Sequence, residues 1–258
     1  MIFLIDIGNS RTKYVQIANQ NTLNEQLSAV TQVSNDEFSS RYFTEFFSEA
    51  KQVVIANVGN ALLTDNLASW CEKNTVSFTQ VHSEQQKNTL ISAYQEPTTL
   101  GIDRWLALMG AIDLYPNNTT LIIDAGTATT VDLLASNGQH HGGWILAGVK
   151  ALFDSILHHS TLVSAKSTAA ANLAFGQNTT DNVNNACWAA TLGLVEQAID
   201  QAQQFAAIDH LIFTGGNGQT LMQLLLTSDE RGDNAHKKRH YQVQYIEKLI
   251  FFGLKNYC

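Results

Sequence analysis

The segment Leu4-Ile5-Asp6-Ile7-Gly8-Asn9-Ser10 returns in altered form as Ile122-Ile123-Asp124-Ala125-Gly126-Thr127-Ala128. In each copy an apolar run ends at an aspartate, and a glycine follows two residues later. Small hydroxyl or amide side chains come next, and apolar residues resume at Tyr14-Val15-Gln16-Ile17 and Val131-Asp132-Leu133-Leu134. The pattern predicts strand, tight turn, strand. Glycine permits the turn and lets backbone N–H groups approach an anion with no Cβ in the way, while the aspartate can hold a cation. Written in both halves of a 258-residue chain, it predicts two related halves closing on a nucleotide. Nothing resembles the Walker loop, which needs GxxxxGK followed by Ser or Thr.

A chain of this length holds two domains at roughly 100–200 residues each. The register of the repeat places them at 1–115 and 116–258, with Pro116-Asn117-Asn118 as the hinge. A formal charge of −8 argues against a nucleic-acid surface, since phosphate affinity rests on clustered Lys and Arg. The one basic cluster, His236-Lys237-Lys238-Arg239-His240, reads as a solvated turn. No apolar run reaches the roughly 18 residues that would cross a bilayer, and Met1 leads straight into the first strand, so a cytoplasmic protein without a signal peptide is expected. Cys71, Cys187 and Cys258 have neither even count nor paired spacing, which suits reduced thiols rather than disulfides or a zinc site.

Strands are expected at Ile2–Ile5, Lys13–Ile17, Gln52–Ala56 and Ser77–Val81, with helices near Ser39–Glu49 and Ala61–Lys73. Tyr94 to Gly101 reads as a loop around Pro97, and a helix follows from Asp103. The second half offers strands at Thr120–Asp124, Thr129–Ala135, Gly142–Ile145 and Leu211–Phe213. Its helices are expected at Val149–Leu157, Thr168–Ala174, Asn182–Ala206 and from Gln219. Strands alternating with helices give an α/β class.

Asp6, Gly8, Asn9, Ser10 and Lys13 share one turn, where N–H groups, a hydroxyl and an ammonium can meet phosphate oxygens. A third glycine turn, Thr214-Gly215-Gly216-Asn217-Gly218, follows a strand and precedes a helix, and bare backbone there can lie against a base or ribose. Two cradles and a nucleoside turn in this order resemble the actin, sugar-kinase and chaperone-ATPase superfamily. At Gly101-Ile102-Asp103-Arg104 an aspartate at a helix N-terminus can accept the proton of an attacking hydroxyl, and the adjacent guanidinium can bind a carboxylate or phosphoryl oxygen. On the tetrapeptide alone, a helix-capping aspartate beside a surface arginine is the simpler reading. The pairs His140-His141 and His158-His159 point their side chains apart and suit surface or interface roles. Trp70, Trp105, Trp144 and Trp188 suit core or interface anchors.

Several segments taken together look like the type III pantothenate kinases: Asp6 to Lys13, Tyr94 and Pro97 ahead of Gly101 to Arg104, Ile123 to Thr129, Gly142-Gly143-Trp144-Ile145, Gly176-Gln177-Asn178-Thr179 and Thr214-Gly215-Gly216. The resemblance spans nearly the whole chain. One departure stands out: the family usually follows the double glycine with Ile-x-Pro-Gly, and here Ala147 precedes Gly148.

The resemblance implies two related actin/ribonuclease H-like domains, each a mixed sheet flanked by helices, with an ATP cleft between them. It implies phosphorylation of pantothenate by ATP, the first step of coenzyme A biosynthesis. Asp6, Ile7, Gly8, Asn9, Ser10, Arg11, Thr12 and Lys13 would bind ATP, joined by Thr127, Gly215 and Gly216. Asp103 would be the general base, and Tyr94, Gly101, Ile102, Asp103 and Arg104 would hold pantothenate. Asp124 would coordinate the potassium or ammonium ion the family requires, with magnesium beside Asp6. Thr179 would reach the substrate across a homodimer interface. Two rivals remain from the sequence: a superfamily kinase for another small hydroxylated substrate, and a non-catalytic nucleotide-binding or transcription accessory protein. The retained Asp6, Asp103 and Asp124 favour chemistry, because a scaffold needs no base.

Overall fold

The apolar N-terminal run forms β1 (Ile2–Ile7), which pairs antiparallel with β2 (Arg11–Ile17) so that Asp6 lies opposite Lys13. Strand β3 (Thr31–Ser34) continues the meander. On the other side of β1, β4 (Gln52–Asn57) and then β5 (Ser77–Gln80) add in parallel, giving the order β3-β2-β1-β4-β5. Helix α1 (Ser40–Phe46) leads into β4 and α2 (Ala61–Lys73) connects β4 to β5. The computed structural model describes residues 1–18, 27–159, 165, 170–231 and 240–258.

The same topology is written again. β8 (Thr120–Ala125), β9 (Ala128–Leu134) and β10 (His140–Ala147) form an antiparallel meander, and β11 (His210–Thr214) and β12 (Gln242–Tyr245) join in parallel on the far side of β8. The order is β10-β9-β8-β11-β12. Helices α4 (Val149–His159) and α5 (Thr179–Gln203) precede β11, and α6 (Gly218–Arg231) leads on toward β12. The duplicated motif therefore marks a duplicated mixed sheet flanked by helices. Both copies of the aspartate end the central strand of their sheet, beside a parallel neighbour whose carboxyl end points the same way. In open α/β sheets that end is where ligands bind.

Two compact units result, Met1–Pro116 with Lys248–Cys258, and Asn117–Glu247. The first has an aromatic core in which Phe3, Phe38, Phe43 and Phe47 are buried beside Trp70. A short hairpin of β6 (Gln86–Lys87) and β7 (Leu90–Ile91) and a 3-10 turn at Pro97–Thr99 precede α3 (Ile102–Leu114), which is buried from Arg104 to Ala111. The second core gathers Ile123, Phe213, Val195 and Leu221 among others.

Several expectations need correction. Residues 116–258 do not stay together: α7 (Leu249–Lys255) belongs with the first unit. The reason is local, since Gly110 and Gly253 lack the side chains that would hold α3 and α7 apart. A methyl on Gly110 would lie 3.1 Å from the Leu249 carbonyl carbon, and one on Gly253 2.8 Å from that of Leu106. Residues 170–174 are not helical, against the helix expected over Thr168–Ala174. Thr168 and Ala169 lie outside the described residues, as do His236 to Arg239 of the basic cluster. Strands β3 and β12 fall in stretches too polar to announce them. Helix α5 starts earlier than Asn182 because the Asn178 side chain caps it, accepting from the Asp181 N–H at 2.9 Å.

Candidate active site

In the first unit the turn after β1 is closed by the Gly8 N–H donating to the Arg11 carbonyl at 3.1 Å. Asn9, Ser10 and Arg11 are exposed on it, while Ile7 and Thr12 are buried as strand residues. Two segments brace the turn. Asn35 Nδ2 donates to the Gly8 carbonyl at 2.9 Å, and Asn35 Oδ1 accepts from the Thr12 hydroxyl at 2.9 Å. From the loop after β4, the Val58 N–H donates to the Ile7 carbonyl at 3.0 Å, and a methyl on Gly59 would fall 2.5 Å from the Gly8 oxygen. Neither Asn35 nor Gly59 was legible as a site residue, although Val58-Gly59-Asn60 after an apolar strand parallels Gly215-Gly216-Asn217.

Helix α3 starts from Gly101 as its N-cap, with Asp103 in the first turn. The capping reading of Asp103 is thereby corrected. Asp103 Oδ1 accepts from the Arg104 N–H at 2.8 Å. Arg104 is no surface charge: it is 4% exposed and donates to the Tyr94 hydroxyl at 2.7 Å. A guanidinium is rarely buried without a paired or ligand role. Burial pushes the Asp6 carboxyl up to about 6; the Lys13 ammonium pulls it down, and the Asp103 carboxylate adds to the rise. Asp6, Lys13 and Asp103 thus share one electrostatic neighbourhood. A desolvated carboxylate with a second one nearby is a fit place for a cation. Among the described residues no group of three or more His, Cys, Asp or Glu could hold a metal by itself.

The second unit repeats the device. The Gly126 N–H donates to the Ala128 carbonyl at 2.9 Å, leaving Thr127 exposed on the turn. The loop after β11 folds back on it, with the Asn217 N–H donating to the Ala125 carbonyl at 2.8 Å. Gly215 has φ +82°, and a methyl there would overlap the Asp124 carboxylate and lie 2.8 Å from the Ala125 carbonyl carbon. Only glycine meets both demands at this position. Tyr245 donates to the Gly215 carbonyl at 3.3 Å, and burial raises its phenol with help from Glu247 and Asp124, which keeps it a donor. Gly148 seats against the same turn, its N–H donating to the Thr127 carbonyl at 3.0 Å. Ala147 still pairs with Ala128, so strand pairing runs one residue further than a proline would invite. Thr179 is the exposed first residue of α5.

Two other expectations change. His140 is not a surface residue: it is 1% exposed and its Nε2 lies 2.8 Å from Asp132 Oδ1, a buried pair beside the bulge between His140 and Gly143. Trp144 is not core. It stands 37% exposed on β10 at the rim of a cavity of about 260 Å³ lined also by Leu133, His141, Ala202 and Phe205. None of the phosphate-turn residues lines that cavity.

A family model described as type III pantothenate kinase matches residues 2–201. A type III pantothenate kinase from Colwellia psychrerythraea is 62% identical over 258 residues, covering all of both chains. Among solved structures, a candidate Baf family transcriptional activator from Campylobacter jejuni is 26% identical with a TM-score of 0.58, covering 98% of this chain and 95% of its own. A candidate 2-dehydro-3-deoxygalactonokinase from Sinorhizobium meliloti, 14% identical, superimposes with a TM-score of 0.59 over 98% of this chain and 97% of its own, which is a likeness of fold.

Proposed function

Since the chain belongs to the type III pantothenate kinase family, we propose that it transfers the γ-phosphoryl group of ATP to the primary hydroxyl of pantothenate, giving 4′-phosphopantothenate and ADP as the first step of coenzyme A biosynthesis. The observation that carries the assignment of roles is the head of α3, where a buried Arg104 is held by Tyr94 beside the Asp103 carboxylate.

Asp103 takes the hydroxyl proton as the oxygen attacks the γ-phosphorus. Arg104 and Tyr94, with the backbone of Gly101 and Ile102, orient pantothenate, whose carboxylate suits a guanidinium. The turn from Gly8 to Arg11, with Asn9, Ser10 and Arg11 exposed on it, receives phosphate oxygens together with Lys13, and Thr127 adds a hydroxyl. Gly215 and Gly216 offer bare backbone to the nucleoside. Asp6 would hold magnesium, and Asp124, facing unsubstituted backbone at Gly215, the monovalent cation; bound cations neutralise charge that develops on the transferring phosphoryl group. What remains for the protein is positioning, which is most of the work in this class of reaction.

Self-association belongs to the same reading. Phe175 is 103% exposed and Leu173 36%, just ahead of the exposed Thr179. Such apolar side chains on one segment favour burial against a second copy, in a homodimer where the partner subunit's Thr179 completes the pantothenate site. Among the described residues no helix is long and apolar enough to cross a membrane, and Cys71 and Cys187 are free thiols; with ATP as donor, we place the enzyme in the cytoplasm. A coupled assay of ADP release with pantothenate, run in sodium and then in potassium or ammonium buffer, tests the reaction. Asp103→Asn should keep the fold and lose roughly 100-fold or more in turnover. Near-parental turnover in that variant would remove Asp103 as the base.

A further inference from the structure

The indole of Trp105, next to Arg104 in α3, is fully buried, and its Nε1–H donates to the Tyr257 hydroxyl at 2.9 Å. That hydroxyl donates onward to Glu84 Oε1 at 3.0 Å. Lys87 Nζ sits 4.1 Å above the Tyr257 ring, and Asn88 Nδ2 reaches Asn256 Oδ1 at 3.4 Å, so residues 256 and 257 clasp the β6–β7 hairpin. The hairpin is tied in turn to the residues that carry Tyr94. The Ser92 N–H donates to the Gln85 carbonyl at 2.9 Å, and Ser92 Oγ accepts from the Tyr94 N–H at 3.1 Å. Tyr94 then receives the guanidinium of Arg104. The contacts form a ring that leaves α3 at Trp105 and returns to it at Arg104.

We infer that Tyr257 is a positioning residue for the pantothenate site: its hydroxyl joins the helix bearing Asp103 and Arg104 to the segment bearing Tyr94 and so fixes their spacing. The chemistry is directional. An indole can only donate and a carboxylate can only accept, so one phenol that does both satisfies each at once. Burial and the Glu84 bond raise the Tyr257 phenol above its ordinary range, with only the Trp105 bond opposing, so it keeps its proton across the working pH range. Phenylalanine in its place would fill the same volume and open the ring at one point. The tie that runs from α3 through the hairpin to Tyr94 would then be cut, and pantothenate would meet a looser pair of groups.

The inference rests on the assignment of Tyr94 and Arg104 to pantothenate, and the test separates the two. Tyr257→Phe in the full chain should raise KM for pantothenate about fivefold, the worth of one hydrogen bond, with KM for ATP unchanged within twofold. Glu84→Gln, which keeps an acceptor oxygen, should behave like the parent. Glu84→Leu should copy Tyr257→Phe, and the double variant should be no worse than either single one, because both open the same ring. An unchanged pantothenate KM in Tyr257→Phe overturns the inference. So does a rise in both KM values that tracks a lower melting temperature, which would make the bond a general prop. Arg104→Lys is the control. If it leaves pantothenate KM unchanged, the assignment of Arg104 fails and takes this inference with it; if KM rises there but not in Tyr257→Phe, the positioning role alone is wrong.

Discussion

Adding one methyl group at Gly110 should separate two helices and damage a site about two turns away. Gly110 faces α7 so closely that a methyl would sit 3.1 Å from the Leu249 carbonyl carbon, nearer still to its oxygen, and 3.3 Å from the Gly253 nitrogen. Optimal contacts between carbon atoms lie at about 3.5–4.0 Å, so the helices must part by roughly 1 Å or the backbone must bend. The obstacle is main chain, which cannot rotate away as a side chain would. Overpacking of this kind costs about 1–3 kcal/mol, and the better helix propensity of alanine returns about 1 kcal/mol. Taking the upper part of the range, Gly110→Ala should lose about 2 kcal/mol, or about 4–8 °C in melting temperature for a chain of this size. Because Asp103 rides on the same helix, a shift near 1 Å can also cost up to about 100-fold in turnover. Gly193→Ala is the matched control: it lies inside α5 with nothing within 4 Å of the added carbon, and it should gain about 0.4–1 kcal/mol. Thermal melts of the three proteins and the ADP-release assay decide the matter. A Gly110→Ala protein that melts at or above the parent, while Gly193→Ala behaves as expected, would refute the close approach of α3 and α7.

Asp6 gives a pH signature. Its folded carboxyl titrates at about 6 against an ordinary value of 3.8, so between these values the folded state binds more protons than the unfolded one, and stability falls as pH rises through that window. Asp6→Asn removes this loss; its metal-free melting temperature should gain on the parent between pH 4 and pH 7, and a constant offset would contradict the burial argument. Gly215→Ala combines a positive φ with overlap on Asp124, so it should destabilise by about 1–3 kcal/mol and raise KM for ATP more than KM for pantothenate; equal effects on both would detach the turn from the nucleotide. Mixing inactive Asp103→Asn subunits with inactive Thr179→Arg subunits should restore part of the activity, since one site of a mixed dimer keeps both residues. Full activity from monomers, measured by light scattering at assay concentration, would end the shared-site reading.

The sequence by itself determined the duplicated frame. The short apolar runs ending in Asp-x-Gly at Asp6 and Asp124 marked two central strands and their turns, because a strand buried on both faces and its turn chemistry are written locally and owe little to distant residues. Gly101 to Arg104 marked the head of a helix for the same reason. Tertiary structure decided what local patterns cannot carry. β3 and β12 are edge strands with partly exposed, polar sequences, and their partners β2 and β11 recruit them through backbone hydrogen bonds that leave no apolar trace. His140 and Asp132 are eight positions apart and look like ordinary polar residues until the β9–β10 register buries them together. Asn35 and Gly59 gained their place at the first turn through contacts with residues far along the chain. The C-terminal helix left the half in which it is written because glycines at 110 and 253, more than a hundred residues apart, admit a backbone approach that no single stretch of sequence encodes.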